Sequence, residues 1–347
     1  MSRHNATLSA QGTSNWQEYR VVCTDAAQHP LQPTAPIGAR CIAAFGFDDR
    51  LIQSGGPAHP ALRLSFSVSR PERRCNLNSL EQPIAVGRTA EIYAYKSEKV
   101  LKLFFPTTPQ SWIEREIDIG RYIQTTQLPV PKVYERMELN DRIGVVYERI
   151  EGPSLLNELA RKPWKTVQYA RLLANLHVQV HEVTAPTNLE TQRDWARGGI
   201  PETAKLSKNL QERILHLLDS MPDGNQLCHG DFHPGNIIAT HRGPVIIDWM
   251  TVSKGVACGD VARTSIILEA AKAPEGTPMR WLLEWVRKLF LATYLKTYFQ
   301  LRPVEKHSFA AWRAIMAANF LADVSIPEEE ANLVEIVERG VGAMEGG

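Results

Sequence analysis

The sequence predicts an α+β protein with two lobes, a small strand-rich lobe followed by a larger, mostly helical lobe. Three observations predict this fold class. The chain has 347 residues, which is enough for roughly two domains of about 150 residues each. Alternating runs of β-branched and aromatic residues are concentrated in residues 79–150. Apolar residues instead recur at helical spacing through much of residues 151–347, so we expect the second lobe there.

The composition excludes several classes of partner. Lys and Arg number 39 against 38 Asp and Glu, a formal net charge of +1, so the chain as a whole has no basic footprint for a nucleic acid. No run of about 18 apolar residues occurs, so we expect no membrane partner. The five cysteines are scattered without a C-x₂-C pair, which predicts a reducing compartment and a cytoplasmic location.

Residues 1–78 differ in composition from the rest of the chain. They contain eight Arg and no Lys, with frequent Pro, Gly, Ser and Gln, and they sustain neither helical nor strand periodicity. We expect this segment to lie outside the catalytic core. Three explanations remain open. The segment is a poorly ordered extension, it is an organelle-type leader rich in Arg and Ser, or the natural protein starts near Asn76.

The elements of the first lobe follow from local patterns. Alternating or Pro-rich sequence predicts extended chain at residues 91–95, 99–105, 129–133 and 143–150. The first two of these segments flank a short polar turn and predict a β-hairpin. Residues 111–124 predict a helix, with Ser111 as its N-cap and Glu114 completing a capping box.

The second lobe is predominantly helical. Apolar spacing predicts helices around residues 154–160, 166–182, 203–219, 259–272, 278–300 and 308–322. The exception is a segment of loops and strands at residues 227–249. Loops that a rigid scaffold positions often carry function, so this segment is the first candidate for the site.

The polar pattern of that segment is the most informative in the chain. Two apolar edges flank a loop that holds His229, Asp231, His233 and Asn236, and a buried-looking strand then ends at Asp248. A carboxylate in such a loop can orient a hydroxyl and accept its proton. An amide oxygen and a second carboxylate are hard ligands that suit Mg²⁺ held on phosphates. The pattern therefore predicts phosphoryl transfer.

This pattern resembles the H-G-D-x-H-x-x-N motif of the aminoglycoside phosphotransferase-like family, small-molecule relatives of the protein kinases. The resemblance extends over about residues 82–330. It implies a bilobal protein-kinase-like fold with ATP and Mg²⁺ as cofactors. It also implies that Asp231 is the catalytic base, that His229 shapes the loop, and that Asn236 and Asp248 bind the metal.

A lysine and a glutamate of the first lobe complete the predicted nucleotide site. Lys102 lies in an apolar strand, where an unpaired ammonium is costly; an edge-strand position facing solvent is the alternative, and Lys99 is the competing residue. Glu116 shares a helix face with Trp112 and three isoleucines, whereas Glu114 shares its face with polar residues. We expect Glu116 to pair with Lys102 and hold it at the α- and β-phosphates.

Other segments resemble the family more weakly. At the end of the last predicted strand of the first lobe, backbone groups of Glu148 and Ile150 would meet the adenine. Gly87 is what remains of a phosphate-covering loop, since G-x-G-x-x-G is absent. G-x₄-G-K-[ST] is also absent, which excludes a P-loop NTPase. Residues 172–177 and 260–263 resemble the helix before the catalytic loop and the D-[LVI]-A-R segment after the metal ligand.

Alternative interpretations use some of the same residues. His177 and His181 have a spacing that can bind Zn²⁺, but residue 178 is Val rather than the Glu of H-E-x-x-H. We therefore expect a core His177 and an outer His181. A protein serine/threonine kinase is the main rival because residues 273–275 spell A-P-E, although helical periodicity before them leaves no activation loop. A nucleotide-binding pseudokinase scaffold is the third possibility, and the presence of every catalytic residue disfavours it.

The prediction is therefore a phosphotransferase that moves the γ-phosphoryl group of ATP to an alcohol group of a small molecule. An aminoglycoside-like antibiotic, an amino alcohol and a sugar metabolite all remain open as the acceptor. By the resemblance, the helical lobe recognises this partner, at about residues 154–222 and 260–330.

Overall fold

The computed structural model of the chain describes residues 82–87, 89–271, 277–322 and 327–345. The expectations for residues 1–78 lie outside this range. Within it, the predicted α+β fold of two lobes is confirmed, with an antiparallel sheet and one helix preceding a helical region. Among the helices of the described ranges, none is long and apolar enough to span a membrane.

The first lobe is built on a five-stranded antiparallel sheet with the order β1-β2-β3-β5-β4. Its strands are β1 (Ala85–Val86), β2 (Ala90–Ala94), β3 (Lys99–Phe104), β4 (Val133–Leu139) and β5 (Arg142–Glu148). The predicted hairpin is confirmed as β2 and β3, and its turn contains Lys96 and Glu98 at φ 55° and 60°. Strand β4 was not predicted beyond its extended start, because four of its seven residues are exposed or partly exposed and obscure the alternation.

Helix α1 (Gln110–Ile123) packs against this sheet and begins one residue before its predicted start. The predicted capping box is wrong, because Pro109 is the N-cap and no side chain caps the helix. The carboxylate of Glu114 instead accepts a hydrogen bond of 2.6 Å from the Gln110 amide. Trp112 also differs from expectation, since its first-turn side chain is 51% exposed. The buried face is formed by residues further along the helix.

Helix α1 also contacts the second lobe. Arg115 forms an ion pair with Glu190, and the Tyr122 hydroxyl donates to the Thr184 carbonyl over 2.6 Å. The helix that carries Glu116 is thus held from both sides, by the sheet and by the helical lobe.

The second lobe contains the helices α2 (Leu155–Arg161), α3 (Thr166–Glu182), α4 (Gln192–Glu202), α5 (Lys208–Ser220), α6 (Ala257–Ala270), α7 (Arg280–Leu301), α8 (Lys306–Phe320) and α9 (Pro327–Glu345). Helices α4 and α9 were not predicted. The predicted helix at 203–219 begins later, at Lys208, because the Ser207 side chain caps the N–H of Leu210. Two hydrophobic clusters hold these helices together, one around α3 and α7 and the other around α4, α5, α6 and α8.

Two short antiparallel ribbons position the catalytic segment within this lobe. Strand β6 (Gln226–Cys228) pairs with β9 (Ser253–Gly255), and β7 (Ile237–Thr240) pairs with β8 (Gly243–Ile246). The loop of residues 229–236 connects the two ribbons, and residue 248 lies two residues after the end of β8. Both predicted catalytic segments therefore emerge from paired strands.

Candidate active site

The loop of residues 229–236 contains a glycine that no other residue could replace without strain. Gly230 has φ +78°, and a Cβ atom at this position would lie 2.4 Å from the Thr251 carbonyl oxygen. The Thr251 hydroxyl in turn donates to the His229 carbonyl over 2.9 Å. The turn therefore brings the loop against the segment that follows Asp248.

Asp231 and Asn236 contact each other directly. The Asn236 side-chain amide donates to the Asp231 carboxylate over 3.1 Å and to the Asp231 carbonyl over 2.9 Å. With its amide nitrogen engaged in this way, the side-chain oxygen of Asn236 is the atom suited to bind a cation.

Asp248 lies beside the same loop with an exposed side chain. The N–H of Ile247 donates to the Asn236 carbonyl over 3.0 Å, and His229 Nε2 donates to the Ile247 carbonyl over 3.1 Å. Asp248 has φ 64°, a left-handed conformation that is uncommon outside glycine. An exposed carboxylate and an amide oxygen on adjoining segments form a donor set that fits Mg²⁺.

His229 is buried and holds the loop rather than facing the cleft. Its Nδ1 accepts a hydrogen bond from the Asp231 N–H over 3.2 Å. Its Nε2 is therefore the protonated nitrogen, which donates to the Ile247 carbonyl. Burial lowers the pKa of His229, against the opposing charges of Asp260, Asp231 and Asp248. A neutral imidazole with these two partners connects the loop of Asp231 to the segment that carries Asp248.

His233 is a site residue to which the sequence analysis gave no role, although the H-G-D-x-H motif contained it. Its Nε2 lies 3.5 Å from the Asp231 carboxylate, and its Nδ1 accepts the Gly235 N–H over 3.0 Å. Burial would lower the pKa of His233, but the charges of Asp231 and Asp248 raise it. Burial would likewise raise the pKa of Asp231, but His233, Arg263 and His229 lower it. Asp231 is therefore held as a carboxylate that accepts hydrogen bonds.

Arg263 supports the loop from behind. Its Nε donates to the Gly230 carbonyl over 2.5 Å, and its guanidinium lies 4.4 Å from the Trp195 ring centroid and 5.3 Å from that of Phe320. The helices α4, α6 and α8 thereby all contribute to the placement of Gly230. The resemblance to a D-[LVI]-A-R segment identified Arg263 without predicting this stacking.

Asp260 is the buried anchor of the loop. Its carboxylate accepts the backbone N–H groups of His229 and Gly230 over 2.6 and 2.9 Å. It also accepts hydrogen bonds from the Nε2–H groups of His177 and His181 over 3.0 and 3.2 Å. The expectation of an outer His181 is wrong, because this bond holds its ring at 1% exposure.

The side chains of His177, His181 and Asp260 lie close enough together to bind a metal ion. However, their ring nitrogens and carboxylate oxygens are already engaged in hydrogen bonds within the protein. The Tyr294 and Tyr298 hydroxyls lie 2.6 and 2.7 Å from Nδ1 of His177 and His181. Each tyrosine donates, each Nδ1 accepts, and each Nε2 proton faces Asp260. Burial lowers the pKa of His177 to about 3 and also lowers the pKa of His181, so both rings are neutral donors. The geometry favours a structural network over Zn²⁺.

Lys102 and Glu116 form the predicted ion pair. Lys102 Nζ lies 2.7 and 2.9 Å from the two carboxylate oxygens of Glu116. Burial would lower the pKa of Lys102, but the charges of Glu116 and Asp248 raise it, so the ammonium persists. Glu114 is exposed, as predicted. The charge of Asp248, in the second lobe, thus contributes to the raised pKa of Lys102 in the first.

Glu148, Ile150 and Gly87, whose resemblance to the family is weaker, lie at or just after the ends of strands of the first lobe. Glu148 ends β5, its N–H donates to the Lys132 carbonyl over 2.9 Å, and its carboxylate pairs with Arg242 over 2.9 Å. Ile150 follows in the connection between the lobes and is partly exposed. Gly87 follows β1 and donates its N–H to the Ala90 carbonyl over 2.8 Å, which closes a turn.

A two-lobed fold with a Lys–Glu pair in one lobe and an H-G-D…N loop with a second Asp in the other defines a kinase-like phosphotransferase. Residues 81–304, more than half of the chain, match the Phosphotransferase enzyme family. The chain belongs to this family, which confirms the predicted phosphotransferase. A search of curated protein sequences gives no match.

Solved structures with a similar fold include three small-molecule kinases. Amicoumacin kinase hAmiN, in complex with AMP-PNP, Ca²⁺ and Ami, is 13% identical with a TM-score of 0.53, over 77% of this chain and 89% of that one. An aminoglycoside-3'-phosphotransferase of type VIII is 17% identical with a TM-score of 0.47, over 67% and 89%. Choline kinase from Cryptosporidium parvum Iowa II is 15% identical with a TM-score of 0.46, over 78% and 92%. At these identities the likeness concerns the fold.

Proposed function

We propose that the protein transfers the γ-phosphoryl group of ATP to an alcohol group of a small molecule in a Mg²⁺-dependent reaction. One observation carries the proposal: both carboxylate oxygens of Glu116 hold the Lys102 ammonium in the first lobe, and the charge of the exposed Asp248 carboxylate in the second lobe raises the pKa of that ammonium. A cation and a metal-binding carboxylate on opposite sides of a nucleotide are what a triphosphate requires.

Each residue of the site has a role in this reaction. Lys102 binds the α- and β-phosphates, and Glu116 holds it there. Asn236 and Asp248 would bind Mg²⁺, which offsets the charge of the phosphates. The Glu148 carbonyl and the Ile150 N–H bind the adenine. Gly87 belongs to the loop that covers the phosphates.

Asp231 acts on the acceptor. Its low pKa keeps it ionised, so it accepts a hydrogen bond from the acceptor hydroxyl and aims that oxygen at the phosphorus. The new O–P bond forms as the bond to the ADP oxygen breaks, and the hydroxyl proton passes to Asp231. A weakly basic carboxylate suits a loose transition state in which the proton moves late. His229 keeps the loop in place.

A protein kinase fits this chain less well. Helix α6 begins at Ala257, nine residues after Asp248, and continues to Ala270, so the chain enters the helix almost directly after the metal-binding segment. The A-P-E triplet at 273–275 lies outside the described residues. A pseudokinase scaffold is disfavoured because Asp231, Asn236 and Asp248 are all in place.

The acceptor classes remain an aminoglycoside-like antibiotic, an amino alcohol and a sugar metabolite, recognised by the helical lobe. A cytoplasmic location is supported by the cysteine pattern, and Cys228 and Cys258 are free thiols within the described residues.

Incubation of the protein with γ-labelled ATP, Mg²⁺ and a pooled panel of aminoglycosides, amino alcohols, sugars and nucleosides tests the proposal. Wild type should label a small molecule. Asp231→Asn should bind ATP as wild type does and lose at least about a hundredfold in turnover. Asp118→Asn, the same substitution at an exposed site on α1, is the matched control and should retain full activity. Full turnover by Asp231→Asn would reject the assignment.

A further inference from the structure

Glu116 has a second hydrogen-bond donor besides Lys102. The Tyr147 hydroxyl donates to Glu116 Oε1 over 2.9 Å, the same oxygen that lies 2.7 Å from Lys102 Nζ. Glu116 is 8% exposed, so these protein donors replace most of the water that a free carboxylate would bind. Nothing in the sequence pattern of β5 indicated this contact.

The sheet register explains how Tyr147 reaches Glu116. Lys102 on β3 is opposite Val145 on β5, and Tyr147 lies two residues further along β5, opposite Val100. Because side chains alternate between the two faces of a strand, Lys102 and Tyr147 lie on the same face. Tyr147 packs there on a cluster that includes Val145 and the α1 residues Ile113 and Ile117. The hydroxyl therefore meets Glu116 at the junction of sheet and helix.

Electrostatics fix the direction of this hydrogen bond. Burial raises the pKa of Tyr147 well above its usual value, and the charges of Glu116 and Asp248 raise it further. The phenol therefore stays protonated across the working pH range and donates to the carboxylate. Removing the hydroxyl would leave a buried carboxylate oxygen with one donor fewer.

We propose that Tyr147 is a positioning residue for the nucleotide phosphates, an inference that rests on the proposed function. Lys102 directs N–H groups to both oxygens of Glu116. The ammonium has three N–H groups, so one is left for a bound phosphate, whose negative charge then competes with Glu116 for Nζ. Tyr147 then holds Oε1, so that the carboxylate keeps its orientation and the ammonium stays at the phosphates.

The position of Tyr147 in the chain extends this role. It directly precedes Glu148, whose carbonyl we assign to the adenine. The neighbours Tyr147 and Glu148 therefore connect the end of β5, where the adenine would bind, to the Lys102–Glu116 ion pair, where the phosphates would bind. The side chain of Tyr147 acts on the phosphates, while the backbone beside it serves the base.

The test compares ATP with adenosine, which has no phosphates for Lys102 to bind. Tyr147→Phe removes a single oxygen and retains the ring that packs in the cluster. We expect its Kd for Mg²⁺·ATP to rise about tenfold, as for the loss of a hydrogen bond to a charged group, while its Kd for adenosine stays unchanged. Tyr93→Phe is the matched control, because it removes a hydroxyl that donates to Glu91 in the same sheet, and neither Kd should change.

A double-mutant cycle with Glu116→Gln separates positioning from packing. If Tyr147 acts through Glu116, adding Tyr147→Phe to Glu116→Gln should weaken ATP binding by much less than the tenfold seen in wild type. Equal weakening of ATP and adenosine binding, unchanged ATP binding, or independent losses in the cycle would each overturn the inference. These readouts use binding alone. A wild type that binds ATP without transferring phosphate would refute the proposed function and still allow the role of Tyr147 to be measured.

Discussion

The carboxylate of Asp260 accepts the backbone N–H of His229 over 2.6 Å and thereby connects helix α6 to the start of the catalytic loop. Three further donors, the Gly230 N–H and the two imidazoles, converge on the same buried group. Burial would raise the pKa of Asp260, but the two imidazoles lower it well below its usual value. Loop geometry therefore depends on one anion inside the helical lobe.

Asp260→Asn should be strongly destabilising. An amide offers one oxygen and presents an NH₂ group to donors, so at least one buried N–H loses its acceptor. We expect the free energy of unfolding to fall by about 2–4 kcal/mol, measured by urea denaturation. Asp118→Asn, at an exposed site, should change it by less than about 0.5 kcal/mol. Equal stability of the two variants would show that the carboxylate is not the anchor.

Acid should destabilise the protein through the histidines that face Asp260. In the unfolded chain a histidine binds a proton near pH 6.5, whereas burial lowers the pKa of His177 to about 3 in the folded protein. The unfolded state therefore binds more protons between these values, and the free energy of unfolding falls as the pH drops from about 6.5 towards 4. The lowered pKa of Asp260 adds a further loss below about pH 4.

Urea denaturation at a series of pH values measures this slope. His181, whose pKa burial also lowers, contributes up to about 1.4 kcal/mol per pH unit below pH 6.5. His181→Gln should therefore show a shallower slope than wild type. His216→Gln, at an exposed position, is the control and should keep the wild-type slope. An unchanged slope in His181→Gln would mean that this ring accepts a proton in the folded state.

Gly230→Ala should impair both stability and turnover. Its φ of +78° and the 2.4 Å approach of an added Cβ to the Thr251 carbonyl require the backbone to shift. We expect a loss of about 1–3 kcal/mol in the free energy of unfolding and a lower kcat, because Asp231 follows directly. Gly198→Ala is the matched control: it lies in α4 with open space around it, and alanine there should stabilise by about 0.5–1 kcal/mol. A fully active, equally stable Gly230→Ala would contradict the constraint.

How far the sequence predicts this site depends on the range of each contact. The Lys102–Glu116 pair was predictable because each residue interrupts an apolar pattern and needs a buried partner. The loop that carries Asp231 and Asn236 could be singled out because its polar residues are close in sequence. Asp260 and His181 were not, because the carboxylate meets residues about 30 and 80 positions away, and no local pattern records such a contact.

Local signals also produced the errors in the fold. The segment Gly-Gly-Ile-Pro near residue 200 resembles a turn, yet it completes α4 with Ile200 fully buried in the helical core. Ser111 has the sequence of an N-cap, but Pro109 precedes it with a fixed φ and begins the helix earlier. Tertiary packing decided the first case, and a local backbone constraint decided the second. The Tyr147–Glu116 bond is similar, since an aromatic residue in a strand is ordinary until the partner on α1 is known.

Asp248→Asn should weaken the metal dependence of nucleotide binding and leave the fold intact. Asparagine tolerates the left-handed conformation that Asp248 adopts at φ 64°, so the substitution removes charge without adding strain. Wild type should bind ATP more tightly with Mg²⁺ than with EDTA, and Asp248→Asn should lose about tenfold or more of that gain, measured by calorimetry.

Asp141→Asn is the matched control for this change. Asp141 is exposed and has φ 63° in the turn between β4 and β5, so the two variants share the chemical change and the backbone conformation and differ only in location. Asp141→Asn should keep the full Mg²⁺-dependent gain. If both variants kept the Mg²⁺-dependent gain in ATP binding, the metal would be held without Asp248. The Asp248 carboxylate would then act on Lys102 and His233 alone.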